Sequence, residues 1–342
     1  MNSTQDAAII VPAIDVNPLV TRCLAECRAT CPGAEIILLL DIAPPDGGAA
    51  CGDARVIVTG PVTISAKRNI GAAETDRTFL AFIDSDAYPA EGWLANAIRE
   101  LQADPDLGIC GGPNVSPPDA RGSERYVGLA QRSALVTGHL NFRKQIAPAR
   151  YCDDLPSCNM VMRRADYLAV GGMDERLYIY EDKDLCRRVT EAGKKILFTP
   201  DVLVYHRDRP FKLYLFQRLV WGANIWSTIG QVRRLSDVII FLPFAAVLFF
   251  LSGMTLPWVP LWGWVYGPVS AVYAALIGVE SLRRAERAGD LPGLALALAV
   301  GNLAPGIGAI AGPLGLMPEH RKLYRNYDGA VAPPTDNSAA SK

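Results

Sequence analysis

The chain has 342 residues, half of them hydrophobic, and its 34 basic and 35 acidic side chains give a formal net charge of -1. This length fits one large domain or two ordinary ones, and the composition supplies enough apolar side chains for a core. Proteins that bind nucleic acid normally carry a basic domain or stripe, so the near-neutral charge argues against that class. No nucleic-acid partner is expected.

The hydrophobic residues are unevenly distributed along the chain. The first 235 residues mix charged and apolar positions, whereas residues 238–317 hold three long apolar runs. This predicts a soluble part followed by a membrane part. The N-terminus, MNSTQDAAIIVPAID, lacks a basic stretch followed by a long apolar run, so no secretory signal is predicted and the soluble part is expected in the cytosol.

The soluble part alternates short apolar runs with helical stretches. The runs are AAIIVPAID, EIILLLD, RVIVTG (55–60) and TFLAFIDSD (78–86), and the helices are expected at about 17–30 and 66–74. Strands that alternate with helices indicate a parallel sheet covered on both faces. The sequence therefore predicts a doubly wound α/β domain.

Eight cysteines are scattered along the chain, and Cys23, Cys27 and Cys31 fall four residues apart. A metal cluster is one interpretation of that spacing. We interpret them instead as small buried side chains on a helix that packs against the sheet, as reduced cysteines usually are. Cys152 and Cys158 are interpreted in the same way.

Carboxylates stand at or just after the predicted strand ends, at Asp15, Asp41, Asp84 and Asp86. In α/β sheets ligands bind beyond the carboxyl ends of the strands, although a solvated loop is the alternative for each single aspartate. Asp84 and Asp86 would repel each other unless a cation held both ionised. Mg²⁺ typically takes one or two carboxylates plus substrate phosphates, and the chain has no glycine-rich phosphate-binding motif of the GxGxxG or GxxxxGK[ST] type. The pair therefore predicts a divalent metal, and if a nucleotide binds here, that metal would hold its diphosphate.

A second acidic group begins an amphipathic helix expected from about Asp182 to Ala192, followed by Gly193. Leu185, Val189 and Ala192 would form its apolar stripe. Glu181 and Asp182 lie at its N-terminus, where a plain capping role is the alternative to a catalytic one.

The order IDSDAYP, then YEDKDLCRR, resembles the family 2 glycosyltransferases of GT-A fold, and residues 61–89 are similar to the "ARNxG, then FLDxD" block of that family. The resemblance implies a metal-dependent, inverting transferase with Mg²⁺ or Mn²⁺ as its cofactor and a nucleotide-diphosphate sugar as its donor. It implies donor contacts from Asp41, Lys67, Arg68, Asp84 and Asp86, and Asp182 as the general base. Members usually carry two acids at the second strand end, whereas here Asp41 is followed by Ile42.

His206, in VYHRDRP, follows a strand-like run and is either a buried hydrogen-bonded imidazole or, as the resemblance implies, a group near the metal or diphosphate. We therefore group Asp84, Asp86 and His206 as metal ligands, and place Glu181 and His206 in the acceptor and diphosphate region.

The run FQRLVW (216–221) resembles the QxxRW motif of processive synthases, with Gln217, Arg218 and Trp221 present but Val220 where that motif has arginine. We group these three with the acceptor and diphosphate region. A compatible interpretation is an interfacial helix. In it, the lipid-facing side chains would be Phe211, Tyr214, Leu215 and Trp221, and the side chains at the headgroups would be Lys212 and Arg218.

Two uncharged runs, 238–256 and 259–279, are long enough to cross a bilayer. Basic residues flank this pair and tryptophans crowd the turn between, which predicts a hairpin with cytosolic ends: the basic residues are Arg233, Arg234, Arg283, Arg284 and Arg287, and the tryptophans are Trp258, Trp262 and Trp264. The third run, 291–317, contains Pro305 and several glycines and precedes a basic stretch. A re-entrant or kinked helical hairpin is expected there, because it would return that stretch to the cytosol.

The arrangement also resembles the bacterial transferases that elongate succinoglycan-type exopolysaccharides on a polyprenyl diphosphate. This implies a multi-pass protein of the inner membrane with a lipid-linked glycan acceptor. The expected division is a catalytic domain (1–210), an interfacial helix and linker (211–236), a membrane region (237–318) and a partly disordered tail (319–342). A polyprenyl-phosphate glycosyltransferase is the alternative, with a processive synthase or a catalytically silent glycan-binding partner less favoured.

Overall fold

A computed structural model describes residues 3–44, 47–177, 180–226 and 235–317. The described residues form two compact units, one within residues 3–115 and 146–206 and one within residues 116–145 and 207–317. The predicted residues Arg233 and Arg234, the basic stretch after the third apolar run and the tail 319–342 lie outside the described residues. The predicted division into four parts stays a prediction.

The described regular elements are eleven strands and eleven α-helices. The strands are β1 (Ala7–Pro12), β2 (Glu35–Leu40), β3 (Arg55–Val58), β4 (Phe79–Ile83), β5 (Ala87–Pro89), β6 (Leu107–Gly111), β7 (Asn114–Val115), β8 (Arg150–Tyr151), β9 (Asn159–Arg163), β10 (Lys195–Phe198) and β11 (Val204–His206). The helices are α1 (Pro18–Thr30), α2 (Ile64–Ala73), α3 (Trp93–Ala103), α4 (Gly122–Gln131), α5 (Ala134–Thr137), α6 (Arg164–Ala169), α7 (Glu181–Glu191), α8 (Phe211–Ala223), α9 (Leu242–Ser252), α10 (Gly263–Arg284) and α11 (Leu291–Ala311).

The first unit is built on an eight-stranded sheet of order β3-β2-β1-β4-β9-β6-β10-β8. Strands β1 to β4 pair in parallel, as the alternating pattern predicts. Strand β9 differs, because it runs antiparallel to both β4 and β6. Its first residue, Asn159, pairs with Ile83 at the end of β4, so the chain enters β9 at the edge of the sheet where β4 stops. The sheet is therefore mixed rather than wholly parallel.

A small sheet of order β5-β11-β7 lies in the same unit. Strand β11 runs antiparallel to β5 and parallel to β7, with His206 opposite Ala87. This pairing brings the end of β11 next to the segment that follows β4.

The core of the first unit includes the helix α1 cysteines. Cys23, Cys27 and Cys31 are buried with apolar side chains of β1, β2 and α3. All eight cysteines lie within the described residues and are free thiols. The interpretation of these three cysteines as small core side chains is confirmed, although Cys31 lies just after α1. The same interpretation holds for the buried Cys158 and is wrong for Cys152, which is only half-buried.

The second unit is helical. Helix α11 packs against α8 closely enough that a side chain at Gly222 would meet the Pro305 carbonyl, and one at Gly308 would meet the Leu219 carbonyl. Helix α11 also continues past Pro305, so the break that we expected within Leu291–Ala311 is absent from this described stretch. Its re-entrant topology stays a prediction.

Three helical segments of this unit are long and apolar enough to cross a membrane, namely Val238–Thr255, Pro260–Arg284 and Ala288–Ala311. The apolar side chains of the first two are largely exposed, with Met254 of the first at 71% and Trp264 of the second at 81% of full exposure. Such a surface is covered by lipid in proteins that span a bilayer.

Candidate active site

Two carboxylates leave the sheet where β4 ends. Strand β4 is buried along its whole length between β1 and β9, so its backbone is held rigidly up to Ile83. Asp84 follows it directly and accepts a hydrogen bond at Oδ1 from Arg68 Nη2 at 2.6 Å. Asp86 lies just before β5, so the short segment between the two strands presents both carboxylates at one edge.

His206 faces these carboxylates because β11 pairs with β5. Its Nε2 lies 3.3 Å from Asp86 Oδ1 and 3.8 Å from Asp84 Oδ2. Within the described residues its buried Nδ1 has no hydrogen-bond partner. An imidazole whose Nε2 lies beside two carboxylates is chemically suited to hold a cation together with them.

Asp84, His206 and Cys158 each place a ligand atom within 4.8 Å of the others. Cys158 immediately precedes β9, and its Sγ accepts a hydrogen bond from Asn114 Nδ2 at 3.1 Å. Carboxylates suit Mg²⁺ and Mn²⁺, and imidazole and thiolate suit softer divalent metals, so the residues present fit a divalent cation. Cys158 is not among the residues that the sequence predicts at this site. The three side chains come from distant segments, and no local spacing joins them.

Helix α2 supplies two buried cations to the same rim. Lys67 and Arg68 are only 3% and 2% exposed. Lys67 Nζ lies 2.6 Å from Asp41 Oδ1 and also donates to the Ala13 carbonyl. The predicted donor-binding residues Asp41, Lys67, Arg68 and Asp84 therefore form two ion pairs at the carboxyl ends of β2 and β4.

The acidic start of α7 meets this group through Arg68, whose Nη1 lies 3.7 Å from Glu181 Oε1. Burial raises the pKa of the Glu181 carboxyl, and the Arg68 guanidinium opposes that shift. Tyr180, just before, has φ of 70°, which is uncommon for a residue with a side chain. This backbone turn directs the first residues of α7.

Asp182 is half-buried in the first turn of α7 and accepts a hydrogen bond at Oδ1 from the Lys183 backbone N–H at 2.8 Å. Helix α7 buries Leu185, Cys186 and Val189. The expected contribution of Ala192 to that stripe is wrong, because the helix ends at Glu191 and Ala192 is exposed.

Asn69 of α2 fixes the turn that leads to α7. Its Nδ2 donates to the Met173 carbonyl and its Oδ1 accepts from the Met173 N–H, each at 2.9 Å. A side chain at Gly172 would come within 2.6 Å of Asn69 Oδ1, and Gly172 has φ of 68°, so glycine is required there. The segments 67–71 (KRNIG) and 171–175 (GGMDE) therefore pack against each other.

Gln217, Arg218 and Trp221 lie on α8, in the second unit. Arg218 is 4% exposed, and its guanidinium stacks over the rings of Tyr214 at 5.0 Å and Trp221 at 4.8 Å. The expectation that Tyr214 faces lipid and Arg218 meets headgroups is therefore wrong, because both are buried. Helix α11 covers this side of α8.

The family model described as glycosyl transferase family group 2 matches residues 79–282, which is more than half of the chain. The chain belongs to this family.

The chain is 34% identical over 146 residues to a pre-mycofactocin glycosyltransferase of Mycobacterium tuberculosis, a match that covers 42% of this chain and 30% of that protein. It is 26% identical over 149 residues to the glycosyltransferase AglE of Haloferax volcanii, covering 43% of this chain and 45% of AglE. Both matches cover less than half the length of the relative.

Among solved structures, the chain is similar to the mannosyltransferase PcManGT from Pyrobaculum calidifontis, described in complex with GDP-Man and Mn²⁺. The TM-score is 0.58 at 16% identity, over 91% of this chain and 87% of that one. At this identity the similarity establishes the fold. The first unit is a mixed α/β domain of the GT-A glycosyltransferase type, as predicted, and the C-terminal helices apolar enough to span a membrane follow it.

Proposed function

We propose that this protein is an inverting glycosyltransferase that moves a sugar from a nucleotide-diphosphate donor to a polyprenyl diphosphate-linked glycan at a membrane. The observation that carries the proposal is the cluster of Asp84, Asp86 and His206 at the end of β4, joined through Arg68 to the acidic N-terminus of α7. The PcManGT complex with GDP-Man and Mn²⁺ supports the donor class and the metal. The three apolar helical segments support a membrane acceptor.

The residues that would hold Mg²⁺ or Mn²⁺ are Asp84, Asp86 and His206, with Cys158 beside them. A bound divalent cation supplies positive charge that stabilises a departing nucleoside diphosphate. Arg68 holds Asp84 in place, and the Lys67–Asp41 ion pair orders the end of β2 for the nucleoside. Asp41 and Asp84 are assigned to the donor on this basis.

Asp182 is assigned as the general base. A sugar hydroxyl is a weak nucleophile at neutral pH, so a carboxylate within hydrogen-bond reach that accepts its proton lowers the barrier. Attack on the face opposite the leaving diphosphate inverts the anomeric carbon. Glu181 is the buried partner of Arg68, and this contact positions the start of the helix that carries Asp182.

The test uses the detergent-purified full chain with a panel of nucleotide sugars and a lipid-linked oligosaccharide. Nucleoside diphosphate release should require metal and acceptor, and Asp182→Asn should lower it by about 10² to 10⁴-fold. Asp184→Asn is the matched control, since Asp184 lies on the same helix and pairs with Arg187 and Arg188. An Asp182→Asn variant as active as the wild type would contradict the assignment of Asp182 as the general base.

The same assay separates the alternatives. Release with bare polyprenyl phosphate as acceptor would instead favour a polyprenyl-phosphate glycosyltransferase. The absence of both release and donor binding would favour a catalytically silent partner. A basic pocket at the membrane interface, formed by Lys212, Arg218, Arg233 and Arg234, would favour the polyprenyl-phosphate alternative. Arg218 is buried between aromatic rings, Lys212 is exposed on α8, and Arg233 and Arg234 lie outside the described residues.

A further inference from the structure

The second unit contains a cavity of about 400 Å³ between the start of α4 and the connection from α10 to α11. Its lining includes Asp119, Arg121, Arg125, Tyr126, Arg287 and Asp290. None of these residues belongs to the candidate active site. Pockets of this size accommodate small polar ligands and headgroups.

The chain connectivity places this cavity at a membrane surface. Helix α10 ends at Arg284 and α11 begins at Leu291, and both belong to segments able to cross a bilayer. Residues that connect two consecutive spans lie where the hydrocarbon ends, in the headgroup region. Arg287 lies in that connection and Asp290 lies at the start of the third segment, so in a membrane the cavity would open at headgroup level.

The wall of the cavity is held by ion pairs within the unit. Arg125 donates through Nε and Nη2 to the two Asp290 oxygens at 3.2 and 3.1 Å, and through Nη2 to Glu286 at 2.7 Å. The Tyr126 ring lies against Gly293, where any side chain would come within 2.2 Å of it. Helix α4 is thereby fixed to the first turn of α11, which preforms the cavity.

The charge of the cavity favours an anion. Arg125 is neutralised by its acidic partners, whereas neither Arg121 nor Arg287 forms an ion pair within the described part of the chain. The lining holds three arginines and two aspartates, so one positive charge is in excess. Glu286, which is not part of the lining, also pairs with Arg132 at 2.9 Å. The N-terminal ends of α4 and α11 both lie here and add positive potential. Arginine forks match the oxygens of phosphate groups in pairs.

We propose that this cavity binds the diphosphate headgroup of the polyprenyl lipid that carries the acceptor glycan, with Arg121 and Arg287 as its phosphate ligands. The inference rests on the proposed function, because it names the part of the acceptor that the membrane unit holds. A lipid source is favoured over a soluble one by the position of Arg287 between two spans.

The test measures binding without transfer. The full chain in detergent is titrated with a solubilised polyprenyl diphosphate, with phosphatidylglycerol and with inorganic diphosphate, and bound ligand is read by native mass spectrometry. Arg121→Gln and Arg287→Gln should each weaken the Kd for the polyprenyl diphosphate by about tenfold, and the double variant by more. Both side chains are exposed, so these changes leave the core intact.

Arg283→Gln is the matched control, since Arg283 is a 73% exposed arginine at the end of α10 that does not line the cavity. Unchanged binding of the lipid by the double variant would overturn the proposal, and so would equal weakening by Arg283→Gln. Equal affinity for inorganic diphosphate and for the lipid would overturn the lipid source.

Sugar transfer is measured separately on the same protein samples, so that the two proposals fail separately. If the double variant loses lipid binding and the wild type still makes no product, the headgroup site stands and the proposed transfer fails. If the wild type transfers sugar and the double variant binds lipid normally, the transfer stands and the headgroup site fails.

Discussion

At the scale of single residues, the ion pair between Lys67 and Asp41 is almost wholly inside the protein, with side-chain exposures of 4% and 11%. Removal of one partner of a buried pair leaves the other charge without compensation. Lys67→Met should therefore lower the free energy of unfolding by about 3 to 5 kcal/mol, measured by urea denaturation of the purified chain. The Asp41→Asn, Lys67→Met double variant should recover part of that loss.

Lys183→Met is the control for the Lys67 prediction, because Lys183 is exposed on α7. It should change the free energy of unfolding by less than about 0.5 kcal/mol. A loss in Lys67→Met that is no larger than in this control, or a double variant less stable than the single one, would contradict a coupled buried pair.

Glu124 in the first turn of α4 gives a prediction about pH. Burial raises the pKa of its carboxyl, and Arg207, 2.9 Å away, opposes that shift. A carboxyl with a raised pKa in the folded state binds more protons there than in the unfolded chain, so its contribution to stability falls as pH rises through the unfolded value of about 4.3 and the folded value above it.

The wild type should therefore lose apparent Tm relative to Glu124→Gln as the pH is raised from about 4 to 7. Thermal unfolding of both proteins over that range measures the difference. A difference that stays constant with pH would show that Glu124 titrates normally in the folded protein.

At the scale of elements, the contact between α8 and α11 depends on glycines. A side chain at Gly308 would lie 2.0 Å from the Leu219 carbonyl oxygen, so the helices must separate to admit even a methyl group. Gly308→Ala should destabilise the protein by about 1 to 3 kcal/mol, with a lower apparent Tm. Gly278→Ala on α10 is the control, since nothing lies within 4 Å of that position. Equal effects of the two variants would contradict close helix contact.

Element-level patterns explain why part of the fold was predictable. The parallel strands β1 to β4 are continuous apolar runs, and the aspartates at their ends can be located from local sequence alone. The antiparallel entry of β9 could not be predicted, because residues 116–145, between β7 and β9, belong to the second unit and interrupt the alternation of strands and helices. For the same reason the sequence does not indicate Cys158 as a site residue, because Cys158 comes close to Asp84 only through the pairing of β9 with β4.

The sequence alone also does not predict which side chains of the second unit are buried. Tyr214 and Arg218 have the spacing of an interfacial helix, but α11 supplies the surface that covers them. Pro305 suggests a break in isolation, whereas in the folded unit the Pro305 turn lies directly against Gly222. The role of a glycine in close helix packing can be recognised only when the partner helix is known.

At the scale of the whole molecule, the distribution of charged and aromatic residues predicts the topology in the membrane. Arg283, Arg284 and Arg287 lie at or after the end of α10, and Trp258, Trp262 and Trp264 lie at its other end. This distribution predicts that the connection around Gly289 is in the cytosol and that the turn near Pro257 is outside. Pro257→Cys should therefore react with a membrane-impermeant maleimide on intact cells, and Gly289→Cys only after permeabilisation. Both positions are exposed, and a Cys152→Ser background removes the one native cysteine that is not fully buried. Labelling of Gly289→Cys on intact cells would contradict this orientation and would place the proposed headgroup cavity on the outer side of the membrane.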